Sequence, residues 1–157
     1  MKRSENPAKV FLRRYIALIC RVDALQKAID QAMERAWNIS VTLKEVRVLS
    51  SPAEHDPMAA DVCTAVDDTE ILREEKAKAE TALREIIAAI DSVRDERQKA
   101  VLTMRYVNGC GFGEIADALH FSEPAIYVAH GRALMDVNLW LTKRSAKHGY
   151  EDGNRNA

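Results

Sequence analysis

Residues 98–141 read QKAVLTMRYVNGCGFGEIADALHFSEPAIYVAHGRALMDVNLWL. Their apolar positions fall into three helical phrases: Val101, Leu102 and Tyr106; Ile115, Ala116 and Leu119; then Ile126, Ala129, Leu134 and Val137. Turn chemistry separates them. Asn108, Gly109 and Gly111 stop the first helix, since glycine accepts the left-handed backbone common at helix C-termini. Phe112 to Leu119 then forms a short helix, with small Ala116 on its inner face where a second helix can cross closely. His120, Phe121 and Ser122 make the turn. His120 occupies a position where such motifs place a positive φ, and histidine is among the non-glycine residues enriched there. Ser122 suits an N-cap, and Pro124 in the next first turn has no intrahelical donor to lose, so a third helix starts at about Glu123. Helix, short turn and second helix is the geometry that places the later helix in a DNA major groove.

The segment RYVNGCGFGEIADALHFS, residues 105–122, resembles region 4 of bacterial sigma factors in its order of RY, short loop, EIA, two residues, Leu, turn and Ser. HGRAL at 130–134 is similar to a group of phage and prophage regulators, the ArpU and RinA-like late-gene activators, which pair an amino-terminal helical arm with this module. The resemblance implies a DNA-binding transcriptional regulator of phage or prophage origin. Double-stranded DNA is the implied partner, with RNA polymerase a second. The positions matching the base-reading turns are Glu123, Pro124, Ala125, Tyr127 and Val128, entered through Ser122. Glutamate can accept from a cytosine amino group and Ala or Val can touch a thymine methyl, but no arginine stands here for bidentate guanine contact. Arg132, Arg105, Arg97 and Lys99 are candidate phosphate contacts, which position without specifying. Because Ile126, Ala129, Ala133 and Val137 mark a buried stripe, Tyr127 and Val128 should face outward, with Arg132 one turn further along the same side. A second function class stays open: a helical interaction or assembly module whose helix-turn-helix binds DNA weakly or not at all.

Composition narrows the field. At 47% hydrophobic and 30% charged residues the 157-residue chain is a folded protein and not a disordered tail. A net charge of −1 argues against a wholly basic nucleic-acid coat, although Val93 to His148 carries eight basic against six acidic residues. Phosphate attraction should be modest. Cys20, Cys63 and Cys110 are odd in number and far apart, which indicates reduced thiols and no zinc site, as in a cytoplasmic protein. No stretch approaches the ~20 apolar residues of a membrane span. Adjacent carboxylates such as Asp67 and Asp68, or Glu74 and Glu75, diverge around a helix, and GCGFG at 109–113 lacks the lysine and preceding strand of a phosphate loop. No enzyme, cofactor or metal is indicated. His130 is expected as a polar position on the recognition helix.

Outside the module the chain reads as an arm. From a start at Pro7, the residues Phe11, Tyr15, Leu18, Val22, Leu25, Ile29, Ala32, Ala36 and Ile39 alternate four- and three-residue steps, the seam of a coiled coil. Leu12, Ile16, Ile19, Met33 and Trp37 widen it, which suggests burial against more than one helix and predicts a dimer. Between Asn38 and Asp56 the period degrades, giving a hinge over 38–56. Two helix starts compete there, Ser51-Pro52-Glu54 and Asp56-Pro57, and the second is preferred because sustained periodicity follows it. The returning seam is Val62, Ala65, Thr69, Leu72, Lys76, Ala79, Leu83, Ile86, Ile90 and Val93, in which Lys76 is a polar register-setting residue. Leu139, Trp140 and Leu141 lie just beyond the recognition helix. The expected fold is thus all-α: a helical hairpin over residues 1–92, a helix-turn-helix domain over 93–147, and a disordered tail over 148–157.

Overall fold

The computed structural model describes residues 5–49 and 57–153. Residues 50–56 and 154–157, and the side chains of Val46, Val48, Leu49, Val62, Cys63 and Ala65, lie outside the described set, and with them the capping roles expected of Ser51, Pro52, Glu54 and Asp56. Every described regular element is helical. In chain order these are α1 (Pro7–Leu49), α2 (Pro57–Asp91), α3 (Glu96–Leu102), a π-helical turn (Thr103–Val107), α4 (Phe112–Leu119) and α5 (Glu123–Gly153). No helix among the described residues is long and apolar enough to cross a membrane.

Two helix ends differ from the sequence reading. The expected hinge is helical over residues 38–49, because α1 runs to Leu49. Within that stretch a polar side chain folds back on its own helix: Thr42 Oγ1 donates to the Asn38 carbonyl at 3.0 Å. The recognition helix likewise does not stop before Leu139, and residues 148–153 of the expected tail continue α5 to Gly153. Here too hydroxyls fold back, Thr142 onto Asn138 O at 2.9 Å and Ser145 onto Leu141 O at 3.1 Å. The start of α2 at Pro57 is where proline's fixed φ favours it.

The chain divides into two compact units, and the division is discontinuous in sequence: residues 18–81 form one, residues 1–17 with 82–157 the other. The boundary expected at 92/93 therefore moves into α2, and the first turns of α1 join the carboxy-terminal module.

The 18–81 unit is a pair of antiparallel helical segments. Ala32, Arg35 and Ile39 line one cleft with Thr64, Asp68 and Leu72, while Arg21 meets Glu75 at 2.7 Å near the other end. Ile29, Ala32 and Ala79 are buried at the seam. Lys76 lies on it half-buried and pairs with Glu80 at 3.3 Å. The flanking residues Ile19, Met33 and Trp37 are exposed, Trp37 at 72%.

In the other unit, Val101, Ile115, Ala116, Ile126 and Ala129 form the core, with Met104, Cys110, Phe112 and Leu119 packed around it. The last turns of α2 bury Ile86, Ala89 and Ile90. At the start of α1, Asn6 caps the helix by accepting from the Ala8 N–H at 3.0 Å, and Asn138 Oδ1 accepts from the same N–H at 2.9 Å. Asn138 Nδ2 completes the triangle by donating to Asn6 Oδ1 at 3.0 Å. Ala8 and Leu12 are then fully buried, and the Phe11 and Trp140 rings meet at 6.1 Å between centroids. Burying a leucine contributes about 2 kcal/mol, so this docking is a structural part of the module.

Candidate nucleic-acid interface

The helix-turn-helix is set by its turns. Gly109 adopts φ +75° and His120 φ 57°, the left-handed conformations expected of them. The N–H of His120 reaches back to Asp117 O at 3.3 Å and that of Phe121 to Ala116 O at 2.9 Å, closing α4. At the other end of α4 the Gly111 N–H donates to Glu114 Oε2 at 2.6 Å, so a carboxylate sits at the positive end of the helix. The bond that Ser122 makes into α5 is through its carbonyl, which accepts from Ile126 N at 3.1 Å.

Ile126, Ala129, Ala133 and Val137 face inward, leaving Tyr127 and Val128 more than half exposed. Beside them, the start of α3 and the first turns of α5 enclose a groove of about 430 Å³ lined by Arg97, Gln98, Pro124, Ala125, Val128 and Arg132. Arg97 and Arg132 are exposed at its rim. Asp95 also lines it, but its carboxylate caps α3 by accepting from Gln98 N at 3.0 Å. Arg97 is held by a cation–π contact, its guanidinium 4.5 Å from the Phe121 ring centroid. Arg132 forms no ion pair with Glu123 or Asp136, the partners that would make it a purely helix-stabilising residue.

Of the expected contacts, Arg97, Pro124, Val128 and Arg132 thus come together. Glu123 instead stands beside Gly113, where a Cβ would lie 3.0 Å from its Oε1. Tyr127 packs its ring on Phe112 at 4.4 Å. Lys99 is drawn to Glu96 at 3.0 Å. Arg105 lies away from the groove: Nη1 donates to Cys110 O at 2.8 Å and the guanidinium covers Phe112 at 4.8 Å. Ser122 is exposed at the turn.

His130, the polar position expected on the recognition helix, is buried. It is 8% exposed, its Nε2 hydrogen-bonded to the Tyr106 hydroxyl at 3.0 Å. Burial, reinforced by the positive charges of Lys9 and Arg105, holds its pKa down at about 4, so the ring is neutral near pH 7. Burial pushes the Tyr106 phenol up, against the pull of Arg13 and Arg105. Tyr106 lies in the π-helical turn, in which the Asn108 N–H bonds to Thr103 O at 3.1 Å, five residues back. Neither the turn nor the Arg97–Phe121 contact was legible in the sequence. An aromatic residue in a turn otherwise made of polar chemistry was the one signal for the second.

Residues 83–137 match the family described as Sigma-70, region 4. The match begins inside α2, in agreement with the structural unit that starts at residue 82. No curated protein and no solved structure matches the chain. The carboxy-terminal module is therefore a sigma region 4-like helix-turn-helix joined to a long amino-terminal helical region.

Proposed function

We propose that the protein is a DNA-binding transcriptional regulator, with α5 entering the major groove and α3 lying against the phosphate backbone. The observation that carries this reading is the groove in which Arg97 and Arg132, one from each helix, flank the exposed first turns of α5. Two guanidiniums so placed can grip phosphates on either side of an inserted helix. Base readout falls to Val128 and Pro124, with Glu123 and Tyr127 at the edge of the surface. This chemistry favours methyl contact over hydrogen bonding. The match to sigma region 4 and the HGRAL segment support a phage or prophage regulator that acts in the cytoplasm with RNA polymerase as a further partner. Its activity is binding, with no catalytic step.

The reading includes a homodimer, supported by the exposed Ile19, Met33 and Trp37 on α1. Half-sites about one helical turn of DNA apart are the usual way such modules gain affinity. The same apolar residues favour the second reading, an assembly module that has given up DNA.

A salt titration of binding to duplex DNA separates the two. The regulator loses affinity steeply as salt rises, with a log–log slope of about −0.9 per phosphate neutralised. A slope near zero, or no binding at low salt, leaves only the assembly reading.

A further inference from the structure

A second concavity in the module, of about 230 Å³, is walled by Lys9, Arg13, Arg105, Tyr106, Phe112 and His130. It is made by the first turns of α1, the π-helical turn, the start of α4 and the second turn of α5, and shares no lining residue with the groove described above. Its volume lies below the roughly 300–1,000 Å³ of sites for drug-sized ligands, so the occupant is small.

Its charge is the informative property. Three cationic side chains converge on it, and one, Arg13, is paired with Glu5. With Tyr106 protonated and His130 neutral, the lining and its partner carry a formal charge of about +2. Lys9 forms no ion pair among the described residues although it is half-buried. Arg105 is fixed in place by the Cys110 carbonyl and the Phe112 ring, which spares a ligand the cost of ordering it. Tyr106 and His130 are hydrogen-bonded to each other at 3.0 Å, and neither adds charge to the site. Phe112 offers an apolar wall.

We propose that this pocket binds the phosphate dianion of a small phosphomonoester, held by Lys9, Arg13 and Arg105, with its organic remainder against Phe112. A dianion matches the uncompensated charge where a monoanion leaves one unit over. Planar guanidiniums suit phosphate oxygens. The site needs no DNA, so its test stands apart from the transcriptional reading.

The test titrates inorganic phosphate and glycerol 3-phosphate into the full chain without DNA. Ionic strength is held constant with chloride, and binding is followed by calorimetry and by the amide NMR signals of Gly109 and Phe112. Saturable binding at one site is expected, glycerol 3-phosphate being the tighter, with Lys9→Gln and Arg13→Gln each weakening it about tenfold. Melting temperature without phosphate verifies that the Lys9→Gln protein is folded. If chloride produces the same shifts, or if both folded variants bind as tightly as the parent, the proposal fails. A short duplex distinguishes the source of the phosphate: displacement of glycerol 3-phosphate by the duplex, with equal loss of duplex affinity in Lys9→Gln, makes the pocket a seat for DNA backbone phosphate and overturns the small-ligand assignment.

Discussion

Tyr106 and His130 share a hydrogen bond of 3.0 Å inside the module, with their rings stacked at 5.8 Å. The pair ties the π-helical turn to the second turn of α5. Its cost is carried by the imidazole, whose pKa falls from an ordinary 6.5 to about 4. Unfolded chain takes up a proton below pH 6.5 that the folded protein refuses until pH 4. Stability should therefore decline as pH falls from 6.5 to 4, by on the order of 3 kcal/mol from this group, and this part of the decline should level off below 4. Denaturant melts across pH 7 to 4 measure it. In His130→Phe that component should vanish, while stability at pH 7 drops by about 1–2 kcal/mol through the lost hydroxyl partner. An unchanged pH profile in the variant would refute the assignment.

The docking of α1 onto α5 makes the amino terminus part of the module. Leu12→Ala should cost about 2–5 kcal/mol, as a fully buried leucine does. Asn138→Ala should cost roughly 1–2 kcal/mol by removing one of the two acceptors of the Ala8 N–H and leaving Asn6 with one partner fewer. Hydrogen exchange should quicken at Ala8. Equal protection of that amide in parent and variant would mean that Asn6 alone holds the cap.

Gly109 adopts φ +75°, so Gly109→Ala should destabilise by about 1 kcal/mol through backbone strain. Steric crowding adds nothing, because the new methyl would meet only the Ile16 side chain at an ordinary 3.9 Å. A thermal melt checks it; a loss of several degrees is expected, and none would mean that the loop relaxes freely.

On DNA, Arg132→Ala should weaken binding about equally for all sequences and make the salt slope shallower by about one unit. Val128→Ala and Glu123→Ala should change sequence preference more than strength. Binding by Arg132→Ala as tight as the parent's at every salt concentration would remove Arg132 from the interface.

Self-association should depend on the exposed face of α1. Trp37→Asp together with Met33→Asp should shift sedimentation towards the monomer at micromolar concentration. A parent protein already monomeric there would end the dimer reading.

The local punctuation of this chain was legible from sequence and its long-range pairings were not. Gly109, His120 and Pro57 act through their own φ angles, so their residue types announce them. The recognition-helix stripe at Ile126, Ala129, Ala133 and Val137 follows from a 3.6-residue period alone. Asn6 and Asn138 look like ordinary solvent-facing residues until 132 positions of chain bring them together. The seam of α2 runs without a break through Leu83, Ile86 and Ile90, and so conceals that those turns belong to the module rather than the arm. The burial of His130 carries no mark in the sequence, because its partner lies 24 residues upstream, in a π-helical turn that has no sequence signature.

The asparagine triangle also sets a clock on synthesis. Asn6 leaves the ribosome early, while Asn138 is added 132 residues later. At about 5–20 residues per second the nascent amino terminus waits roughly 7–26 seconds for its partner, and Phe11 waits as long for the Trp140 ring. During that interval the nearest apolar surfaces are those of the emerging α1 and α2 segments, or of another nascent chain on the same message. Translation speed, as much as sequence, then governs which surface the first turns of α1 meet first.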